Sequence, residues 1–301
     1  MHLKNIGRPF SEGRGPFGPA LAVASMFCMQ VGTAVSVPLL LKLGPTAATG
    51  LRLVGAAMVL LLFVRPTITS LGQPMLLVAT ALGIAMCGMS LFFAQAVSRI
   101  PLGTATAIEF LGPLSLALVT SRRWIDVVLA ALAVSGVVLL TGLAGVSGVA
   151  VNITGIGFTL LAAACWASYI VLIKKVGSQF KGADGLSLAL IVAAVAILPA
   201  TMLSIQGPPD LWTVGVLILL GAFIPLIPYG LEMAALQRMT ARSFGIFMCI
   251  DPAIATFAGW LVLGQKLGWV EFLGLVFVTV ASFGAIGCAV YQEKTCDARH
   301  G

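Results

Sequence analysis

The chain has 301 residues, of which 59% are hydrophobic and only 9% are charged, with a mean hydropathy of +1.09 and a formal net charge of +7. That balance excludes a soluble globular domain and describes a membrane protein, in which the positive excess reads as a topology signal rather than a nucleic-acid footprint. His2 and His300 lie at the two ends and the six cysteines form no CxxC pair, so a histidine triad, a zinc motif and a redox pair are excluded and no metal or cofactor is expected.

Apolar runs bounded by Gly, Pro and charged residues predict ten helices, at 18–41, 46–64, 74–97, 102–120, 125–143, 153–176, 184–204, 212–237, 241–263 and 268–291. Several reach the roughly 18 residues needed to cross a bilayer, and no short alternating segments suggest a β-barrel. The expected fold is an all-α bundle of ten transmembrane helices. Its connections are too short for a soluble domain, so all chemistry must lie within or between helices.

In chain order, the first helix carries Gln30 and the second carries Arg52 some two turns inside. An interior cation needs a partner. The candidates are an internal acid, the leading reading because interior cations are usually compensated, and a substrate carboxylate. The third helix holds Ser90 and Gln95, both candidates to line a cavity. In the fourth, Glu109 stands in the apolar run IEFLGPLSLALV, four residues before Pro113. The Gly-rich segment at 142–149 has no Lys and no following strand, which excludes a phosphate loop.

The sixth helix places Trp166 and Tyr169 three residues apart on one face among small neighbours. They either wall a cavity, offering N–H and O–H groups, or serve as packing. The eighth carries Pro225, Pro228, Tyr229 and Glu232, and the ninth Asp251 and Pro252. Pro225, Pro228, Pro113 and Pro252 remove backbone donors mid-helix, giving either a simple kink or an interrupted helix suited to binding and gating.

Glu109, Glu232 and Asp251 are thus acids inside predicted spans, where insertion costs roughly 2.5 to 3.5 kcal/mol, so they should face the bundle interior or water. Glu232 also lies near Arg238 and so near a membrane surface. The functional expectation is that Glu109 and Asp251 flank a central cavity, one binding a substrate ammonium and one carrying an exchanged proton, with Glu232 as a further proton carrier. The alternative is that these acids bond neighbouring helices, or pair with Arg52, and only hold the bundle.

An arrangement with the N-terminus in the cytoplasm puts thirteen basic residues on that side and Lys42, Arg99 and Lys266 on the other, which predicts cytoplasmic termini at both ends and a first helix retained as an anchor. The halves also resemble each other. SRIPLGTATAIEFLGPL at 98–114 lies over QRMTARSFGIFMCIDPA at 237–253 without a gap, with Arg99 over Arg238 and Pro113 over Pro252; GLRL at 50–53 lies over GLSL at 185–188, and Cys28 over Cys165. Under that alignment Glu109 and Asp251 are three positions apart on equivalent helices, hence on a similar face. Five helices per unit is an odd number, so the second unit enters the membrane inverted, the design of secondary transporters with a midplane site. The expected organisation is an N-terminal tail at 1–17, a first repeat at 18–143, a second at 153–291 and a C-terminal tail at 292–301.

The strings RIPLGTATAIEFLGPLSLALVTSRRWIDVVLAALAVSG, ACWASYIVL, PYGLEMAALQRMTARSFGIFMCIDPAIA and LVLGQKL resemble the drug/metabolite transporter superfamily, EamA type, and within it the inner-membrane threonine/homoserine exporter group. The likeness spans nearly all ten helices. It implies two inverted five-helix repeats that move small metabolites outward by alternating access with proton exchange. Two positions depart from the pattern: Gln265 stands where many relatives have an acid, and Asp251 where the exporter group has Glu. The resemblance therefore implies an exporter in a bacterial cytoplasmic membrane whose partners are a small amino-acid substrate, protons and the lipid bilayer. Another metabolite, such as an aromatic amino acid, purine or drug, is the same-class alternative. An intramembrane enzyme is the different-class one, which the residues disfavour for want of a nucleophile with a base or a metal cluster.

Overall fold

The computed structural model describes residues 17–63, 73–119, 124–141, 152–179, 184–205, 210–236, 238, 244 and 247–300. The helices among them are α1 (Gly18–Leu43), α2 (Pro45–Phe63), α3 (Gln73–Val97), α4 (Leu102–Glu109), α5 (Leu111–Val119), α6 (Trp124–Leu140), α7 (Ile153–Gln179), α8 (Asp184–Ser204), α9 (Leu211–Leu236), α10 (Asp251–Leu263) and α11 (Trp269–His300). No strand occurs among the described residues. Five helices, α1, α2, α3, α7 and α8, are long and apolar enough to cross a membrane.

The outside of the bundle is apolar: Leu77, Val127, Val134, Val195 and Trp260 are all exposed. In water such a surface would be an aggregation site, whereas against acyl chains it matches its solvent. Trp124, Trp212 and Trp269 are exposed at or next to the first residues of α6, α9 and α11, where an amphipathic ring suits the headgroup boundary.

Three boundaries differ from the sequence expectation. The fourth span is broken at Phe110 into α4 and α5, because Pro113 has no N–H to give the carbonyl of Glu109. In the ninth span helical residues at Phe244, Phe247 and Met248 give way to a turn at Cys249 and Ile250, and the helix resumes at Asp251 with Pro252 in its first turn, where a missing N–H costs nothing. The last helix continues to His300 rather than ending near 291. By contrast α9 runs unbroken through Pro225 and Pro228, so of the two expectations there, a simple kink or an interrupted helix, the interruption is not seen.

Packing joins elements from the two ends of the sequence. α3 lies along α7, α1 along α9, and α6 along α11; α2 packs on α8 and α9, α3 on α8, α10 on α1 and α4, and α7 on α4 and α5. Glycines set two of these distances. At Gly221 of α9 a Cβ would run into the backbone of Arg52, and at Gly55 of α2 into the carbonyl of Ile218, so α2 and α9 touch main chain to main chain. α6 and α11 meet the same way, with Gly136 and Gly274 each against the other's carbonyl oxygen. α10 ends on Gly264 in the left-handed conformation at φ 64°. The next residue, Gln265, turns its side-chain oxygen to accept the N–H of Leu102 at 3.0 Å, capping the start of α4 across 163 residues of sequence.

Candidate functional site

Burying a carboxylate among helices in lipid is costly, and two of the buried acids, Glu109 and Asp251, sit where a span is interrupted beside a proline. Glu109 is the last residue of α4 and Asp251 the first of α10. Each is buried and each lines one cavity of about 390 Å³. That cavity lies between α1, α2, α3, α4, α7, α8, α9 and α10, within the roughly 300–1,000 Å³ usual for small-molecule sites.

Of the residues singled out in the sequence, Gln30, Arg52, Ser90, Glu109, Trp166, Tyr169, Glu232 and Asp251 all line it. Trp166 meets the ring of Phe110 edge-on, with centroids 5.6 Å apart and planes at 82°, so the indole is braced by the residue that breaks the fourth span. Gln30 Nε2 donates to Asp251 Oδ2 at 2.8 Å across the α1–α10 contact. The other end of that amide, Oε1, is buried with no hydrogen-bond partner among the described residues, an arrangement that costs about 1–3 kcal/mol when left unfilled.

Arg52 corrects one expectation. Among the described residues it makes no ion pair or hydrogen bond, so the internal salt bridge with an acid is not formed. The reason is geometric: Arg52 is on α2, whose backbone is pressed on α9 at Gly221, and its side chain borders the open cavity rather than a neighbouring carboxylate.

Gln95 corrects another. It does not line the cavity; its Nε2 donates to Thr46 Oγ1 at 3.1 Å and its Oε1 accepts from Arg99 Nη1 at 2.7 Å. Near the end of α3, Thr46 at the start of α2 and Arg99 one turn further on are within reach and outcompete the interior. Pro228 is buried and its carbonyl accepts Ser25 Oγ at 2.9 Å, tying α9 to α1. The side chains of Tyr229 and Pro225 lie outside the described residues.

The sequence reading missed the walls. Met26, Met29, Met86, Met89 and Met248 line the cavity with Phe93 and Phe244. On α3 the set Met86, Met89, Ser90, Phe93 and Val97 recurs at helical spacing, which is the signal that was available. Unbranched thioethers make a surface that re-forms around different shapes. A second group lies at the far ends of α1 and α9: Lys42 Nζ donates to Asp210 Oδ2 at 2.7 Å and to Thr213 Oγ1 at 3.0 Å, and Thr213 Oγ1 donates to Asp210 Oδ2 at 2.7 Å. The bonds from Lys42 and Thr213, with the N–H of Trp212, hold the Asp210 carboxyl down at about 2. Among the described residues no group of three or more His, Cys, Asp or Glu could hold a metal.

A multi-pass helical bundle that encloses a cavity bearing both signs of charge is built as a membrane transporter. The chain belongs to the EamA-like transporter family, whose model matches residues 153–287. It is 33% identical over 269 residues to the threonine/homoserine exporter RhtA of Escherichia coli strain K12, covering 88% of this chain and 90% of that protein. It is 32% identical over 264 residues to the RhtA of Salmonella typhimurium strain LT2, covering 87% and 88%. An uncharacterized transporter of Clostridium kluyveri matches at 28% over 136 residues, 44% of this chain and 43% of that one. A solved crystal structure shares the fold, with a TM-score of 0.60 at 16% identity, over 91% of this chain and 99% of that chain. These named relatives are transporters, not enzymes.

Proposed function

We propose that this protein is a secondary exporter of small zwitterionic amino acids, threonine and homoserine among them, across the bacterial cytoplasmic membrane by alternating access coupled to proton exchange. The observation that carries the reading is that Arg52, without an ion pair among the described residues, opens on the same cavity as Glu109 and Asp251. A guanidinium offers a fork to a carboxylate. The carboxylates offer a counter-charge to an ammonium and a place for a proton. A zwitterion neutralises both ends at once, and the relatives named for threonine and homoserine carry substrates of that class.

The inverted-repeat reading is supported by the packing. If α1, α2, α3, α4–α5 and α6 exchange places with α7, α8, α9, α10 and α11, the contact of α3 with α7 becomes that of α9 with α1, and α2 with α9 becomes α8 with α3. The pairs α2 with α8, α4 with α10 and α6 with α11 map onto themselves. Any pseudo-twofold axis has that property; with an odd number of spans per unit it would lie in the membrane plane and bring a shared site to the repeat interface. The five methionines favour a second reading, in which a bulkier metabolite such as an aromatic amino acid is carried. Counterflow of labelled threonine in liposomes against unlabelled amino acids and purines, with and without a pH gradient, decides between them. Competition by threonine and homoserine with acceleration by a gradient is expected. No threonine counterflow would reject the reading.

A further inference from the structure

The amide of Gln30 is half used. Its nitrogen donates to Asp251 Oδ2 at 2.8 Å, while its buried oxygen, in a side chain that lines the cavity, has no partner among the described residues. An ionised carboxylate can only accept, so it fixes the amide with nitrogen toward Asp251 and leaves a carbonyl over. A protonated carboxyl has an O–H to donate, and it is best met by the amide oxygen. The last torsion of a glutamine side chain is broad and roughly twofold, so the amide can turn end for end without moving α1.

We propose that the Gln30 amide is the switch that makes a proton on Asp251 and an ammonium in the cavity mutually exclusive. With Asp251 ionised, Gln30 presents its carbonyl, an acceptor, and the substrate ammonium is held. When a proton is added to the Asp251 carboxylate, the amide reverses, presents its NH2, and the ammonium loses its acceptor and meets a donor. One proton taken up and one ammonium released complete the exchange, with no bond made or broken beyond the O–H. Glu109 from α4, Glu232 from α9 and Arg52 from α2 border the same cavity and set its charge in both states. None of them has a described hydrogen bond to the Gln30 amide. The inference rests on the amino-acid exporter reading above and adds the residue that couples its two ligands.

The test is equilibrium binding of labelled threonine to the purified full-length protein between about pH 5 and pH 9. Wild type is expected to lose affinity by about tenfold per pH unit on the acid side, the slope for one proton displaced per substrate. Gln30→Met keeps the side chain's volume without the amide, and Gln30→Asn keeps an amide too short to reach Asp251. Both should bind threonine more weakly than wild type at high pH, where the carbonyl acceptor is lost, and with the slope flattened to less than about threefold per unit. The Asn variant also separates lost reach from lost polarity and carries the test if the Met variant does not fold. A wild-type slope in the variant that folds overturns the switch while leaving the exporter reading intact. Failure of the wild type to bind threonine at any pH removes both.

Discussion

An acid inside a hydrocarbon slab costs roughly 2.5 to 3.5 kcal/mol to insert, and that cost is what made Glu109 and Asp251 readable without coordinates. Glu109→Gln and Asp251→Asn are therefore expected to reach the membrane in normal amounts and to lose labelled-threonine counterflow by at least about tenfold, since one charge is one ordinary charge-assisted bond. Arg52→Gln should raise the KM for threonine by about ten- to a hundredfold with little change in protein level, and Arg52→Lys should recover part of the loss, because an ammonium restores the charge but not the fork. What stayed hidden was pairing. Gln30 and Asp251 are 221 residues apart, and no local pattern says that α1 meets α10 there. Gln95 shows the converse: polar character along the chain does not distinguish a side chain turned into the cavity from one satisfied at a helix end, here by Thr46 of α2 and by Arg99. Glu271 is a third buried acid. It is buried in the first turn of α11, where the helix dipole favours an acid, so its burial needs no cargo to explain it.

Helices were legible because length and hydropathy are local quantities, but the sequence left open whether each proline kinks or interrupts its helix, and the spans are interrupted beside Pro113 and Pro252 but not at Pro225 and Pro228. The difference is position and support. Pro252 falls in a first turn where no donor is needed, and Pro113 follows a turn at Phe110, whereas α9 keeps its course with Ser25 of α1 bonded to the Pro228 carbonyl. The contact that holds α2 on α9 is made by the absence of side chains. Gly221→Ala would drive a methyl into the Arg52 backbone, forcing the helices apart at the point that positions the guanidinium. The expected result is a loss of about 1–3 kcal/mol of stability, read as a lower midpoint in thermal unfolding of the detergent-solubilised protein. Gly215→Ala on the same helix, where a Cβ meets nothing, should leave that midpoint unchanged or raised.

Across the whole molecule, alternating access requires that some contacts close one mouth of the bundle and others close the opposite one. The Lys42–Asp210–Thr213 group clasps the end of α1 to the start of α9, two helices that also border the cavity. Its sensitivity to acid follows from the depressed carboxyl. The clasp's contribution is fully present above the ordinary aspartate value near 3.8 and is lost only as pH falls through about 2. Any change in transport between about pH 5 and pH 8 must then arise elsewhere. Asp210→Asn should alter the rate of counterflow while leaving the shape of its pH profile over that range unchanged; a displaced profile would show that the clasp titrates during transport.

The pair α6 and α11, joined glycine to glycine, supplies none of the described cavity residues. On the exporter reading, recognition and scaffolding fall to separate spans. In a growth selection on a toxic amino-acid analogue after random mutagenesis, hits that alter which compound is tolerated should cluster in the other eight spans. Changes along the α6–α11 seam should appear only as more or less protein in the membrane.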